Sequence, residues 1–142
     1  MEYAIEASNQ KIKLLFESIM PSLVNQLGLT NSRKAVLIKV TNDTPDEFLG
    51  STLNLEFADC MLVLIRPPKR TTKTALLDIG LTLTHEMIHV RQLAKGIMKF
   101  LPNEARMWRG KKYTRKTKYL DQPWEIDAFA KQEIIFRRAI EN

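Results

Sequence analysis

The chain of 142 residues holds two histidines, and they stand four positions apart in His85-Glu86-Met87-Ile88-His89. Residues four apart on an α-helix lie one above the other. Both imidazoles therefore reach one metal ion from a single face, while Glu86, about 100° around the axis, approaches beside it. Random placement of two histidines, with a glutamate directly after the first, would produce this pattern in roughly one such chain in a thousand, so the spacing reads as chemistry. A hydrolytic zinc centre needs a third protein ligand and an open position for water. Both histidines are spent, and the single cysteine, Cys60, falls in a turn, so the third ligand has to be a carboxylate. The downstream candidates are Glu104, Asp121, Glu125, Asp127, Glu133 and Glu141.

Helical angles separate those on the last segment. On a helix starting at Pro123, Glu125 shares a face with Ala128, Phe129, Gln132, Phe136 and Ala139, a mostly apolar stripe expected to point inward. Asp127, with Lys131 at i+4 and Arg138 nearby, belongs to an expected solvated ion-pair face. A carboxylate on a buried stripe costs several kcal/mol unless it meets a cation, which a metal ion would supply. The alternative use of Glu125 is to complement the helix N-terminus from the first turn. Gln92, one turn beyond His89, is the close polar neighbour of the pair. Asp78 lies about 10 Å of helix rise from His85, too far for contact.

These residues need a scaffold. Ile5, Ile12, Phe16, Ile19, Leu23 and Leu27 recur at helical spacing, predicting a first helix from Ile5 to Leu27, kinked or restarted at Pro21 and stopped by Gly28. Ala35 to Thr41, Leu53 to Phe57 and Met61 to Arg66 read as three strands. Turn-rich Asn42-Asp43-Thr44-Pro45-Asp46 follows the first of them, and the short Ala58-Asp59-Cys60 link makes the last two antiparallel neighbours. After Pro67-Pro68, Thr71 or Thr72 caps a long helix to about Lys95-Gly96, which carries both histidines. Asn103 to Leu120 has no regular period and reads as loop and hairpin. A closing helix runs from Pro123 to near Ile140.

Length and composition bound the rest. At 44% hydrophobic and 27% charged, the chain is expected to fold as one α+β domain spanning residues 1–142. One cysteine excludes an internal disulfide and thiolate zinc fingers. No apolar run approaches the roughly 20 residues that span a bilayer, so no membrane partner is expected. Acids near the start, Glu2 and Glu6, oppose a secretory signal, so the expectation is a cytoplasmic location. The net charge of +6 is local: Arg106, Arg109, Lys111, Lys112, Arg115, Lys116 and Lys118 form a stretch without an acid. Such a stretch is a solvated hairpin or a surface for nucleic acid or an acidic partner.

His85-Glu86-Met87-Ile88-His89-Val90-Arg91-Gln92, then Trp108, Gly110 and Tyr113, then Pro123-Trp124-Glu125 followed by Ala128, together resemble the gluzincin zinc metallopeptidases. The small size is similar to the minigluzincins and to small phage-encoded, SprT-like metallopeptidases. The resemblance implies a minimal zincin domain with an N-terminal helix, a three- to four-stranded mixed sheet, an active-site helix and a C-terminal helix. It implies one zinc ion on His85, His89 and Glu125, peptide-bond hydrolysis by a zinc-activated water with Glu86 as general base, and a protein or peptide substrate. It also implies a tyrosine or histidine donor to the oxyanion, for which Tyr113 is the first choice and Tyr119 the second. An extended substrate is expected along an edge strand, Leu53 to Phe57, with Trp108 and Trp124 as candidate cleft walls or core residues. If the chain is phage-encoded, host cytoplasm or virion would be its location, and a zincin-fold binding or structural module for nucleic acid or phage assembly is the alternative function. The sequence departs from larger gluzincins at Phe129, where an aspartate often follows the glutamate ligand by four positions.

Overall fold

The computed structural model describes residues 1–45, 48–55 and 58–141. Asp46 of the expected turn, and Glu56 and Phe57 of the expected edge strand, lie outside the described residues. The chain runs β1 (Glu2–Glu6), α1 (Gln10–Gln26), β2 (Ala35–Val40), β3 (Gly50–Leu55), β4 (Cys60–Ile65), α2 (Lys73–Ala94), β5 (Met98–Phe100), β6 (Arg106–Trp108), β7 (Lys111–Tyr113) and α3 (Pro123–Glu141). The described residues form a single α+β domain with three α-helices and two sheets.

The main sheet has the order β1-β2-β4-β3, with β1, β2 and β4 parallel and β3 antiparallel to β4. It is mixed and four-stranded, within the expected range, and its β3/β4 pairing is the expected one. Val36, Ile38, Met61, Val63 and Ile65 alternate with less buried neighbours, so one face is fully covered. Ile12, Phe16, Leu23, Leu83 and Met87 belong to the same buried cluster, contributed by α1 and α2.

The first helix starts later than its apolar period suggests. Glu2–Glu6 is a strand paired in parallel with Ala35–Lys39, and within it Tyr3 and Ile5 turn to the core while Glu2, Ala4 and Glu6 stay exposed. Period two over five residues wins because β2 offers a full ladder of backbone partners, which an isolated helical turn cannot match. Asn9 then caps α1, its side chain accepting from the Ile12 amide at 3.1 Å. The helix runs unbroken through Pro21 and does not restart there. That residue sits on the exposed face, where the carbonyl it deprives of a partner meets solvent.

Thr72 caps α2, accepting from the Ala75 amide at 3.1 Å, and the helix ends at Ala94 before a left-handed Gly96. The segment after it is more ordered than the expected loop and hairpin. Strands β5, β6 and β7 form a small antiparallel sheet, β6 and β7 joined by the left-handed pair Arg109-Gly110. α3 begins at Pro123 as expected and packs on α1 and α2. Gly80 permits the α2/α3 approach, since a Cβ there would lie 2.6 Å from Cε1 of Phe136. Among the described residues no helix is long and apolar enough to cross a membrane.

Candidate metal centre

α2 and α3 bring His85, His89 and Glu125 to one point. Oε1 of Glu125 lies 2.9 Å from Nε2 of His85 and 2.9 Å from Nε2 of His89, and the two Nε2 atoms are 3.2 Å apart. Ligands about 2.0–2.1 Å from a tetrahedral zinc ion would be separated by about 3.3 Å, so the trio is within a few tenths of an ångström of a coordinating triangle.

The hydrogen bonds behind the imidazoles explain why those atoms face each other. Gln92 is fully buried, and its Nε2 donates to the Trp124 carbonyl at 2.9 Å and to Oδ2 of Asp127 at 3.0 Å. Its orientation is thereby fixed, and Oε1, 2.8 Å from Nδ1 of His89, must accept a hydrogen bond from that nitrogen. Gln132 Oε1 stands in the same relation to Nδ1 of His85, at 2.7 Å. With both Nδ1 atoms protonated, neutral imidazoles turn their Nε2 lone pairs toward the Glu125 carboxylate. Three acceptors then converge on one point, an arrangement that requires a cation or an added proton. These residues could hold a metal ion, and their donor set fits zinc.

When the added proton rather than an ion fills that point, burial still works against charge on Glu125, but the hydrogen bonds it then receives from His85 and His89 and their nearby charge outweigh it, holding the carboxyl down at about 2. Burial works in the opposite direction on His85, yet Glu125, Gln132 and Glu86 leave it above its ordinary value. Glu86 is 5% exposed, and burial raises its carboxyl above the usual range against the opposing pull of His89, His85 and Thr52. Thr52 Oγ1 donates to Oε1 of Glu86 at 2.8 Å, orienting the group.

Glu86, the triad and the edge strand β3 line one cleft of about 220 Å³. β3 comes unusually close. A Cβ on Gly50 would fall 2.9 Å from Cγ and 3.0 Å from Oε2 of Glu86, and 3.0 Å from Cγ2 of Thr82. A Gly50→Ala protein should therefore bind metal normally while its Glu86 carboxylate is pushed aside. For the hydrolysis that the resemblance implies, the expected loss is about 10²-fold in kcat. Full activity, or loss of metal in proportion to activity, would show that the contact does not set the position of Glu86.

Several expectations need correction. Tyr113 is not brought to the cleft: it pairs with Arg106 across the β6/β7 ladder, and its ring stands edge-on to Trp124 with centroids 5.8 Å apart. Tyr119 lines the cleft instead. Its hydroxyl is pushed up to about 12 by burial and by Glu125 and Glu86 against the pull of Arg106, so it stays a proton donor. Of the two uses left open for the tryptophans, core packing holds for both: Trp124 is buried and Trp108 packs against the core. Phe129 is 51% exposed rather than inward, because this turn of α3 faces the cleft mouth, where the ring lies 4.7 Å from the His85 ring. Asp127 is not simply solvated: it pairs with Lys131 as expected but also accepts from Gln92.

Gln132 and Thr52 were not legible as working residues. A polar residue on the otherwise apolar Glu125 stripe was the available signal for Gln132; Thr52 and Gly50 had none, because their roles depend on how β3 crosses α2. Removing the Gln92 amide tests the backing. Gln92→Leu should weaken zinc affinity by about 10–100-fold, read by competition with a chromophoric chelator, and an unchanged affinity would show that His89 is oriented without it.

Comparison of the chain with protein-family models, with curated proteins and with solved structures finds no match.

Proposed function

We propose that the protein is a zinc-dependent metallopeptidase, a minimal single-domain zincin of the gluzincin kind. One observation carries the reading: a buried, hydrogen-bonded Glu86 opens onto the same cleft as the His85, His89 and Glu125 triad. Metal binding alone does not need that glutamate.

His85, His89 and Glu125 would hold the ion. Zinc in such a three-ligand site supplies Lewis acidity, making water acidic enough to act as a nucleophile near neutral pH and polarising the carbonyl under attack. Glu86 accepts the proton of the attacking water and delivers it to the departing amine, a shuttle favoured by a carboxyl raised toward working pH. Thr52 keeps that carboxylate aimed into the cleft. The Tyr119 hydroxyl, which lines the cleft, replaces Tyr113 as the candidate donor to the developing oxyanion. β3 ends the main sheet, and its Gly50-Ser51-Thr52 stretch lines the cleft, so an extended peptide can add to this edge.

The reading is tested by incubating zinc-loaded protein with a broad peptide library. Cleavage that a chelator stops and zinc restores is expected; no cleavage of any member by fully loaded protein would overturn it. A second reading, a binding or structural module that docks nucleic acid or a phage assembly, is favoured by the exposed bases Lys111 and Lys112 on β7 and by the depression lined by Lys112, Arg115 and Lys116. Under that reading Glu86 has no chemical task.

A further inference from the structure

Arg106 lies in the cleft, apart from the exposed bases of its sequence neighbourhood. β6 carries it into the lining of the cleft, and its guanidinium carbon sits 5.0 Å from the Phe100 ring centroid and 4.9 Å from that of Trp124. Among the described residues its side chain makes one hydrogen bond, to the thioether of Met98, at 3.6 Å from Nη1. Among the described residues it forms no ion pair, whereas Lys34 and Lys131 each hold a carboxylate. The same cleft includes His85, Glu86 and Glu125. Two aromatic rings thus lie against a half-buried planar cation, most of whose five N–H donors have no partner among the described residues.

We infer that Arg106 is a specificity-determining residue that anchors a carboxylate of the bound peptide close to the scissile bond. The inference rests on the peptidase reading for the identity of the ligand. Burial of the guanidinium is costly, and among the described residues Glu125 and Glu86 offset that cost only through space, without an ion pair; a planar fork matches an incoming carboxylate with two parallel hydrogen bonds. Contact with the two rings restricts the side chain before substrate arrives, so less of its freedom is lost on binding. The carboxylate has two sources: the side chain of an aspartate or glutamate, or the free end of the peptide.

Zinc-loaded Glu86→Gln protein separates binding from turnover. Labelled peptides are titrated in matched pairs: glutamate against glutamine at each position near the scissile bond, and free carboxylate against amide at the C-terminus. With Arg106 present, one acidic member should bind about 10–100-fold tighter than its neutral partner. A preference confined to an internal position assigns a side chain, and one confined to the terminus assigns the chain end. In the double variant Glu86→Gln with Arg106→Gln the preference should vanish while zinc content stays at one equivalent, and Arg106→Lys should retain part of it. Equal binding of acid and neutral peptides to the Arg106 protein overturns the inference without needing a folded variant. So does a preference that survives Arg106→Gln, since the carboxylate is then held elsewhere. These outcomes are independent of cleavage by the wild-type protein, so loss of the peptidase reading and loss of the Arg106 role are told apart.

Discussion

Glu86→Gln is expected to lower kcat for peptide hydrolysis by about 10²–10⁴-fold while zinc content and thermal stability stay near those of wild type. The amide is nearly isosteric, and its oxygen can keep the 2.8 Å hydrogen bond from Thr52. What it cannot do is accept the proton of the attacking water. Glu86 is not among the three groups whose ligand atoms converge, so the metal has no reason to leave. Burial that raises the Glu86 carboxyl disappears with the charge, and the variant should be no less stable than wild type. Wild type and variant cleaving at equal rates would remove the general base from the mechanism and favour the binding-module reading.

Removing the metal, or His89, has the second large effect. Zinc bound only by the folded state at about 1,000 times its Kd adds about 4 kcal/mol, which for a chain of this size raises Tm by about 10 °C. His89→Ala should bind no stoichiometric zinc and show no such rise, measured by calorimetry with and without chelator. An equal zinc-dependent rise in the variant would place the ion elsewhere.

In metal-free protein the centre becomes an ionic cluster with a defined pH response. Glu125 is held at about 2 against an ordinary 4.5, so its contribution is present above pH 4.5 and is lost as pH falls toward 2. His85 is raised above its ordinary 6.5, so its contribution is complete below that value and is lost as pH climbs through the higher folded value. Metal-free stability from this pair should therefore peak between about 4.5 and 6.5, checked by urea unfolding in chelator.

The triad shows how far local sequence reaches. Spacing of four on one helix is a covalent fact, so His85, Glu86 and His89 were legible as a unit before any fold existed. Glu125 was legible because a helix start at Pro123 fixes which side chains share its face. The same wheel failed at Phe129, since a stripe specifies an angle but not whether the neighbour at that height is core or cleft. It also understated Asp127, whose second partner, Gln92, arrives from another helix.

The sequence by itself determined most periodic elements, a threonine cap for α2 at Thr71 or Thr72, the start of α3 at Pro123, the antiparallel pairing of β3 with β4, and the residue types able to hold a cation. These follow from interactions within a few residues along the chain. Only the tertiary structure decided that Glu2–Glu6 is a strand, that Tyr119 and Arg106 enter the cleft while Tyr113 does not, and that Gly50 leaves room for Glu86. Each of these depends on an element distant in sequence, a parallel partner for β1 or a strand crossing α2, and the free energy of such contacts exists only after the chain has closed on itself.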